Sequence, residues 1–183
     1  MIISSLLRSI SETYFSKNTL KRLPAFVLYK ANFRYRISAL TALADLNPVA
    51  YGDGWAGLLP DTVEIRPYVD YYNGLADIYR SDSVHISLTH LQMRLYPNQR
   101  IFDIGACGRI VLGEKLEGWE TLFGNGFNDL TFSDFAEMRQ RAELLSKNKG
   151  LRKTLGDDLI SVVRARHTVS NRIDKMFKVL FNE

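Results

Sequence analysis

The sequence predicts an α/β fold in which helices cover both faces of a parallel sheet. Three observations lead to this prediction. Short apolar segments alternate with helical patterns from residue 48 to residue 145, and this alternation is typical of parallel sheets in doubly wound domains. Helical patterns also flank this region, so extra N- and C-terminal helices are expected. The 183 residues, 46% hydrophobic and 24% charged, suffice for one soluble domain with a sizeable core.

The helices are predicted from apolar residues at helical spacing, beginning with an amphipathic pattern at residues 2–15. Residues 17–23 are polar and basic, and Pro24 is expected to interrupt helical structure before a helix at 31–44. Further helices are predicted at 73–80, 100–107, from Ser133 or Asp134 to Leu145, at 151–162, and after a cap at Thr168.

The strands are predicted from short apolar runs bounded by turn residues, at 49–51, 62–65, 84–88, 109–113 and 130–132. We expect one parallel sheet of about five or six strands. Residues 1–47 are therefore assigned to an N-terminal helical segment, and residues 48–183 to the sheet domain.

Composition and charge indicate which classes of partner the chain can bind. The net charge of +4, with a pI near 9.2, suits an anionic ligand such as a nucleotide diphosphate, or an acidic lipid surface. The basic residues are spread along the chain, which argues against nucleic acid. No apolar run reaches the ~18 residues of a membrane span. Peripheral membrane contact through residues 2–15 remains an alternative to packing of that segment within the protein.

The cysteine and histidine content argues against an intrachain disulfide, a cysteine nucleophile and a metal site. The single cysteine, Cys107, cannot form an intrachain disulfide, and this fits the reducing cytoplasm that we expect as the location. Its apolar surroundings favour a small core residue rather than a nucleophile. No cysteine and histidine pair has the spacing of metal ligands, so we expect no metal.

Residues 98–113 carry the strongest functional signal. A polar cluster, Asn98 to Arg100, opens a helical pattern that includes Asp103 and ends at Gly108. Free N–H groups and the positive dipole end at a helix start suit a phosphate, and Arg100 would add a forked cation. Asp103 would accept hydrogen bonds from ribose hydroxyls, although placement near a helix start would by itself favour an acid. The segment therefore predicts a site for a sugar nucleotide.

Other candidate residues fall at the same edge of the predicted sheet, where the strands end and ligands of such folds bind. Gly52 and Gly54 either let the backbone approach a phosphate or form a plain turn. His90 follows the third strand, where it is either a polar loop residue or a base. His167 is expected to be structural, seating the final helix.

The pattern Asn-x-Arg-x-Phe-Asp-x-x-Ala-Cys-Gly at 98–108 resembles the signature of group 1 glycosyltransferases, in the branch of the CgeB-like spore-maturation proteins. Other segments resemble that family in the same order. They are Pro48 to Trp55 (PVAYGDGW), Pro67 to Tyr72 (PYVDYY) with Leu75 to Ser81 (LADIYRS), and His167-Thr168 with Arg172. The resemblance extends over roughly residues 39–183 and implies the Rossmann-like, nucleotide-sugar-binding half of a two-domain GT-B enzyme. It also implies that Tyr68 and Val69 hold the base, and that Gly108 belongs to the site.

The chain departs from this family pattern at three places. Leu95 stands where many members carry the first of two glutamates, Arg109 replaces a glycine, and the usual acid is missing near Asn128. The resemblance and these departures together lead to two alternative functions. One is a donor-binding domain for a nucleotide-diphospho-sugar, with no cofactor and with an acceptor-binding domain or partner protein absent from this chain. The other is a non-catalytic sugar-nucleotide-binding or scaffold domain that retains the fold.

Overall fold

A computed structural model describes residues 17–93 and 95–181. The helices there are α1 (Lys17–Ala42), α2 (Leu75–Tyr79), α3 (Gln99–Ala106), α4 (Gly118–Phe123), α5 (Phe135–Lys147), α6 (Lys149–Arg166) and α7 (Val169–Phe181). The strands are β1 (Val49–Tyr51), β2 (Glu64–Arg66), β3 (His85–Ser87), β4 (Val111–Glu114) and β5 (Thr131–Phe132). Short 3₁₀ helices span Ala44–Leu46 and Asn125–Leu130. The fold is α/β with Rossmann-like alternation, as predicted.

The strands form two parallel sheets, so the expectation of one sheet of five or six strands is wrong. β1 pairs with β2, and β4 lies between β3 and β5. A strand inside a parallel sheet is buried on both faces, whereas all three residues of β2 are exposed. Glu64 and Arg66 even form an ion pair at 2.7 Å on this strand. Strand β2 is therefore too polar to join a larger sheet as an inner member.

The three-stranded sheet is covered on both faces. Val111 belongs to a core cluster that includes Ile104 of α3 and Leu159 of α6. The next residue, Leu112, belongs to a second cluster with Leu43, just after α1, and Met138 of α5. Successive strand residues point to opposite faces, so β4 is the centre of a doubly wound arrangement.

Helix α1 differs most from the prediction. It runs through Pro24, and the expected interruption there is wrong. A proline inside a helix removes one backbone hydrogen bond, and the later part of α1 is fixed independently by burial of Ala39 in the second cluster. The amphipathic pattern at 2–15 lies outside the described residues. None of the helices in the described part of the chain combines the length and the apolar character that crossing a bilayer demands.

The predicted helix caps are present. Of the two candidates before α5, Asp134 is the cap, and its side chain accepts a hydrogen bond from the N–H of Glu137 at 2.8 Å. Thr168 caps α7 by accepting from the N–H of Asn171 at 3.1 Å, and Asn171 accepts from the N–H of Thr168 at 3.0 Å. Such reciprocal bonds satisfy the free donors at a helix start.

Candidate functional site

Asn98 fixes the start of α3 to the end of β3. Its Oδ1 accepts hydrogen bonds from the N–H of Arg100 at 3.0 Å and from the hydroxyl of Ser87 at 3.1 Å. Its Nδ2 donates to the carbonyl of Leu88 at 3.3 Å. The helix start therefore lies at the carboxyl edge of the sheet, where the sequence predicted it. Asn98 acts there as the helix cap.

Asp103 lies one turn further along α3 and is half-buried. Its Oδ2 accepts a hydrogen bond from the Tyr71 hydroxyl at 3.1 Å, and this hydroxyl accepts from Nε2 of Gln99 at 2.6 Å. Burial raises the pKa of Tyr71, and the bond to the Asp103 carboxylate adds to the rise. The segment with Tyr68, which is 67% exposed, and half-buried Val69 is thereby held beside α3.

Arg100 is exposed on the first turn of α3. It lies beside Tyr79, whose side chain is buried. Burial raises the pKa of Tyr79, while the positive charge of Arg100 opposes the rise. Arg100 thus remains close to Asp103 and reaches solvent at the same edge.

Glu114 ends β4 and was missed by the sequence reasoning. Its Oε1 accepts from the Tyr35 hydroxyl, and its Oε2 accepts from the N–H of Thr89. The Thr89 hydroxyl beside it is buried and has no hydrogen-bond partner within the described structure. Glu114 directly follows a predicted strand, and an acid at that position was the signal that could have identified it.

Arg36 of α1 completes this group, and no sequence signal indicated it. It is half-buried, and its pKa is lowered by burial and by the positive charge of Arg100, while the negative charge of Glu114 opposes the shift. The edge at which β3 and β4 end therefore carries two arginines, Arg36 and Arg100, and two carboxylates, Asp103 and Glu114, from three different elements.

The glycine loop contacts α1. Gly52 and Gly54 have φ values of +114° and +86°, which favour glycine. The N–H of Gly52 donates to the carbonyl of Arg66 at 3.0 Å, and Trp55 stacks on Phe33 of α1 with ring centroids 5.5 Å apart. Within the described residues, no hydrogen bond joins this loop directly to the start of α3.

No hydrogen bond in the described part of the chain joins the predicted site residues His90 and Gly108 to this group. His90 is exposed in the loop after β3, where its carbonyl accepts from the N–H of Met93 at 2.7 Å. Gly108, with φ of +68°, ends α3 and is about 12 Å, the length of an eight-residue helix, from the start of that helix. Its positive φ is explained by the turn that closes α3.

Two depressions on the described surface, of about 480 and 210 Å³, lie along α5 and contain no predicted site residue. Among residues 17–93 and 95–181, no three histidine, cysteine or acidic side chains are grouped so that they could hold a metal ion.

His167, by contrast, has contacts of a structural kind. Its Nε2 lies 2.8 Å from the carbonyl oxygen of Leu122, and its ring packs on Phe102 and Phe123. Arg172 in turn lies over the Phe102 ring at 4.6 Å. The motif at the start of α7 therefore joins that helix to α3 and α4.

Comparison with known proteins adds one finding. The sequence model of a family described as glycosyl transferase-like matches residues 34–178. No curated protein and no solved structure matches the chain. The matched stretch contains all five strands and every residue placed above at the carboxyl edge. Placement in group 1 and in the CgeB-like branch stays a prediction. Because the match covers most of its length, the chain belongs to the glycosyl transferase-like family.

Proposed function

We propose that the chain is the donor-binding domain of a glycosyltransferase and that its donor is a nucleotide-diphospho-sugar. The observation that carries this proposal is the start of α3, where exposed Arg100 and half-buried Asp103 lie at the carboxyl edge of the sheet. Ligands of doubly wound folds bind at this edge. The donor is a substrate, and the proposal needs no cofactor.

Four of the predicted residues have roles that their positions support. Arg100 binds the diphosphate, because a guanidinium offers phosphate two parallel N–H bonds. Its own backbone N–H already bonds to Asn98, so the helix start contributes its dipole and its other N–H groups. Asp103 binds ribose hydroxyls. Tyr68 and Val69, held near α3 through Tyr71, lie near the base.

Catalysis in this proposal is mainly positioning and electrostatic stabilisation of the leaving diphosphate. The acceptor and any general base come from a second domain or protein, which closes over the donor and excludes water. We expect that partner to cover the apolar side of α7, where Ile173, Phe177 and Leu180 are 43%, 49% and 64% exposed, since exposed apolar stripes usually mark contacts. The chain alone should bind donor weakly and transfer no sugar.

The alternative is a sugar-nucleotide-binding or scaffold domain without catalytic activity. One observation favours it. Leu95, at the position of the family's first paired glutamate, is 59% exposed, and its carbonyl accepts from the N–H of Gly118 at 2.7 Å. A leucine there supplies no charge to a reacting sugar. Both functions share the donor site and differ in turnover once the acceptor half is supplied.

Titration of the ¹⁵N-labelled chain with uridine, guanosine and thymidine diphospho-sugars tests the donor site. Asp103→Ala should weaken binding by roughly 1–3 kcal/mol, the scale for losing a charged hydrogen-bond acceptor. Arg100→Gln should weaken diphosphate binding and reduce its salt dependence. Asp157→Ala is the matched control, because Asp157 forms an exposed pair with Lys153 on α6.

Two outcomes would contradict the proposal. Unchanged affinity in both site variants, with folding intact, would show that the donor does not bind here. Turnover of donor and acceptor sugars by a purified monomer would show that the chain carries its own acceptor site. Donor binding without turnover, even with the acceptor half present, would instead favour the non-catalytic alternative.

A further inference from the structure

Arg36 lacks the polar partners that the other half-buried arginines of the described residues have. Arg109 forms no ion pair among these residues, but its Nε donates to the carbonyl of Arg80 at 2.8 Å. Arg152, whose side chain is 11% exposed, pairs with Asp82 at 3.0 Å, and Arg141, 25% exposed, pairs with Glu137 at 2.6 Å. Arg36 is half-buried too, yet no ion pair found among residues 17–93 and 95–181 includes it. A half-buried cation without a partner at contact distance is costly, so its position calls for an explanation.

The face of α1 that carries Arg36 is turned toward the strand ends. Residues three and four apart are neighbours on a helix surface. Phe33, three residues before Arg36, stacks on Trp55 after the glycine loop. Asn32, four residues before it, is buried and accepts from the N–H of Leu91 in the loop after β3 at 2.8 Å. Arg36 is therefore carried to the edge where β1 and β3 end.

The charges that act on Arg36 include a second arginine. Arg100 and Glu114 are the charged groups that act on it. The two oxygens of Glu114 already accept from the Tyr35 hydroxyl and the Thr89 N–H. Glu114 is thus shared with two other donors, and the two guanidinium groups repel each other. A bound anion would replace this repulsion with attraction to both.

We propose that Arg36 is a donor-binding residue, and that the diphosphate of the donor binds between Arg36 of α1 and Arg100 of α3. This inference rests on the proposed function, since it adds a residue to the same site. Two arginines from separate helices can each bind phosphate oxygens through a fork of N–H groups. Glu114 holds Arg36 at the edge through its charge. Helix α1 then belongs to the donor site, although the sequence assigned it to a separate segment.

Titration with inorganic pyrophosphate and with the diphosphates UDP, GDP and TDP, followed by amide NMR, tests this assignment. Arg36→Gln should weaken pyrophosphate binding about tenfold, the scale of one charge-assisted hydrogen bond. Arg36→Lys keeps the charge opposite Glu114 but loses the fork, so about a threefold loss is expected. Binding of uridine, which has no phosphate, should not change. Arg34→Gln is the control, because Arg34 is exposed on the same helix and loses the same charge.

The outcomes separate this inference from the proposed function. If Arg36→Gln binds pyrophosphate like Arg34→Gln while Arg100→Gln binds it weakly, Arg36 has no part in the site and the donor site stands. If the unaltered chain binds neither pyrophosphate nor any of the diphosphates, both proposals fail. Should Arg36→Gln not fold, Arg36→Lys decides, since unchanged pyrophosphate affinity in that variant overturns the inference.

Discussion

Replacing Gly156 by alanine tests how α6 holds the turn after α3. Gly156 is buried in α6, and a Cβ added there would lie 2.6 Å from the carbonyl oxygen of Gly108 and 3.2 Å from its carbonyl carbon. Gly108 has a φ of +68°, and its N–H donates to the carbonyl of Gly105 at 2.9 Å. The opposing atoms are backbone atoms in a closed turn. They cannot move aside as a flexible side chain would, so the two helices must separate.

Two opposing contributions determine how far Gly156→Ala changes the free energy of unfolding. Alanine in a helix interior is favoured over glycine by about 1 kcal/mol. Overpacking a close contact costs about 1–3 kcal/mol, and a backbone contact well under 3.0 Å belongs at the upper end. We therefore expect a net loss of about 2 kcal/mol in the free energy of unfolding. For a chain of this size, each kcal/mol lowers the melting temperature by about 2–4 °C.

Urea and thermal unfolding, followed by circular dichroism, measure this loss. Gly150→Ala is the matched control, because it lies in the same helix and its added Cβ would meet only Oδ1 of Asn148, at 3.6 Å. That variant should be as stable as the unaltered chain or slightly more stable, by less than about 1 kcal/mol. If Gly156→Ala unfolds at or above the midpoint of the unaltered chain, the close approach of α6 to Gly108 is wrong.

Two further predictions concern a cap and a histidine. Asp134→Ala removes the acceptor for the N–H of Glu137 and should lower the free energy of unfolding by about 1 kcal/mol; an equal loss in Asp157→Ala would contradict the cap. The pKa of His85 is lowered from 6.5, chiefly by burial, with the carbonyls of Tyr79 and Ser81 opposing and Arg109 adding to the shift. As the pH drops, the unfolded chain therefore binds a proton at this histidine before the folded chain does. The contribution of neutral His85 to the free energy of unfolding is complete above about pH 6.5 and is lost as the pH falls through the lower folded pKa. His85→Phe should lose less stability than the unaltered chain between pH 7.5 and pH 5.5, and parallel losses would refute this assignment.

The elements of the fold were largely predictable from the sequence. Each of the five strands overlaps a segment predicted as a strand, and β1 has the predicted bounds. Asp134 and Thr168 were predictable as caps because short polar side chains precede apolar helical patterns there. The pairing of the strands was not predictable from the sequence, because no local feature of Glu64–Arg66 specifies which strand it pairs with. The continuation of α1 through Pro24 was missed because it depends on how the rest of that helix packs.

The candidate site was predictable only where its residues are close in sequence. Asn98, Arg100 and Asp103 share one helix, and their spacing alone places them on its first turns. The contact between Tyr35 and Glu114 joins residues 79 positions apart, and no periodicity reports such a distance. The link from Tyr71 to Asp103 spans 32 positions and was likewise not predicted.

The distribution of charge also depends on contacts between residues that are distant in the sequence. The sequence has an excess of four positive charges that look evenly spread, which argues for a solvated surface and against a binding patch. The fold pairs some of these charges, such as Arg139 with Asp45 and Arg152 with Asp82, and leaves Arg36 and Arg100 outside every ion pair found among the described residues. A local positive potential therefore arises from which charges remain unpaired. The attraction proposed for a diphosphate at the edge where the strands end rests on these unpaired charges, which no count along the sequence reports.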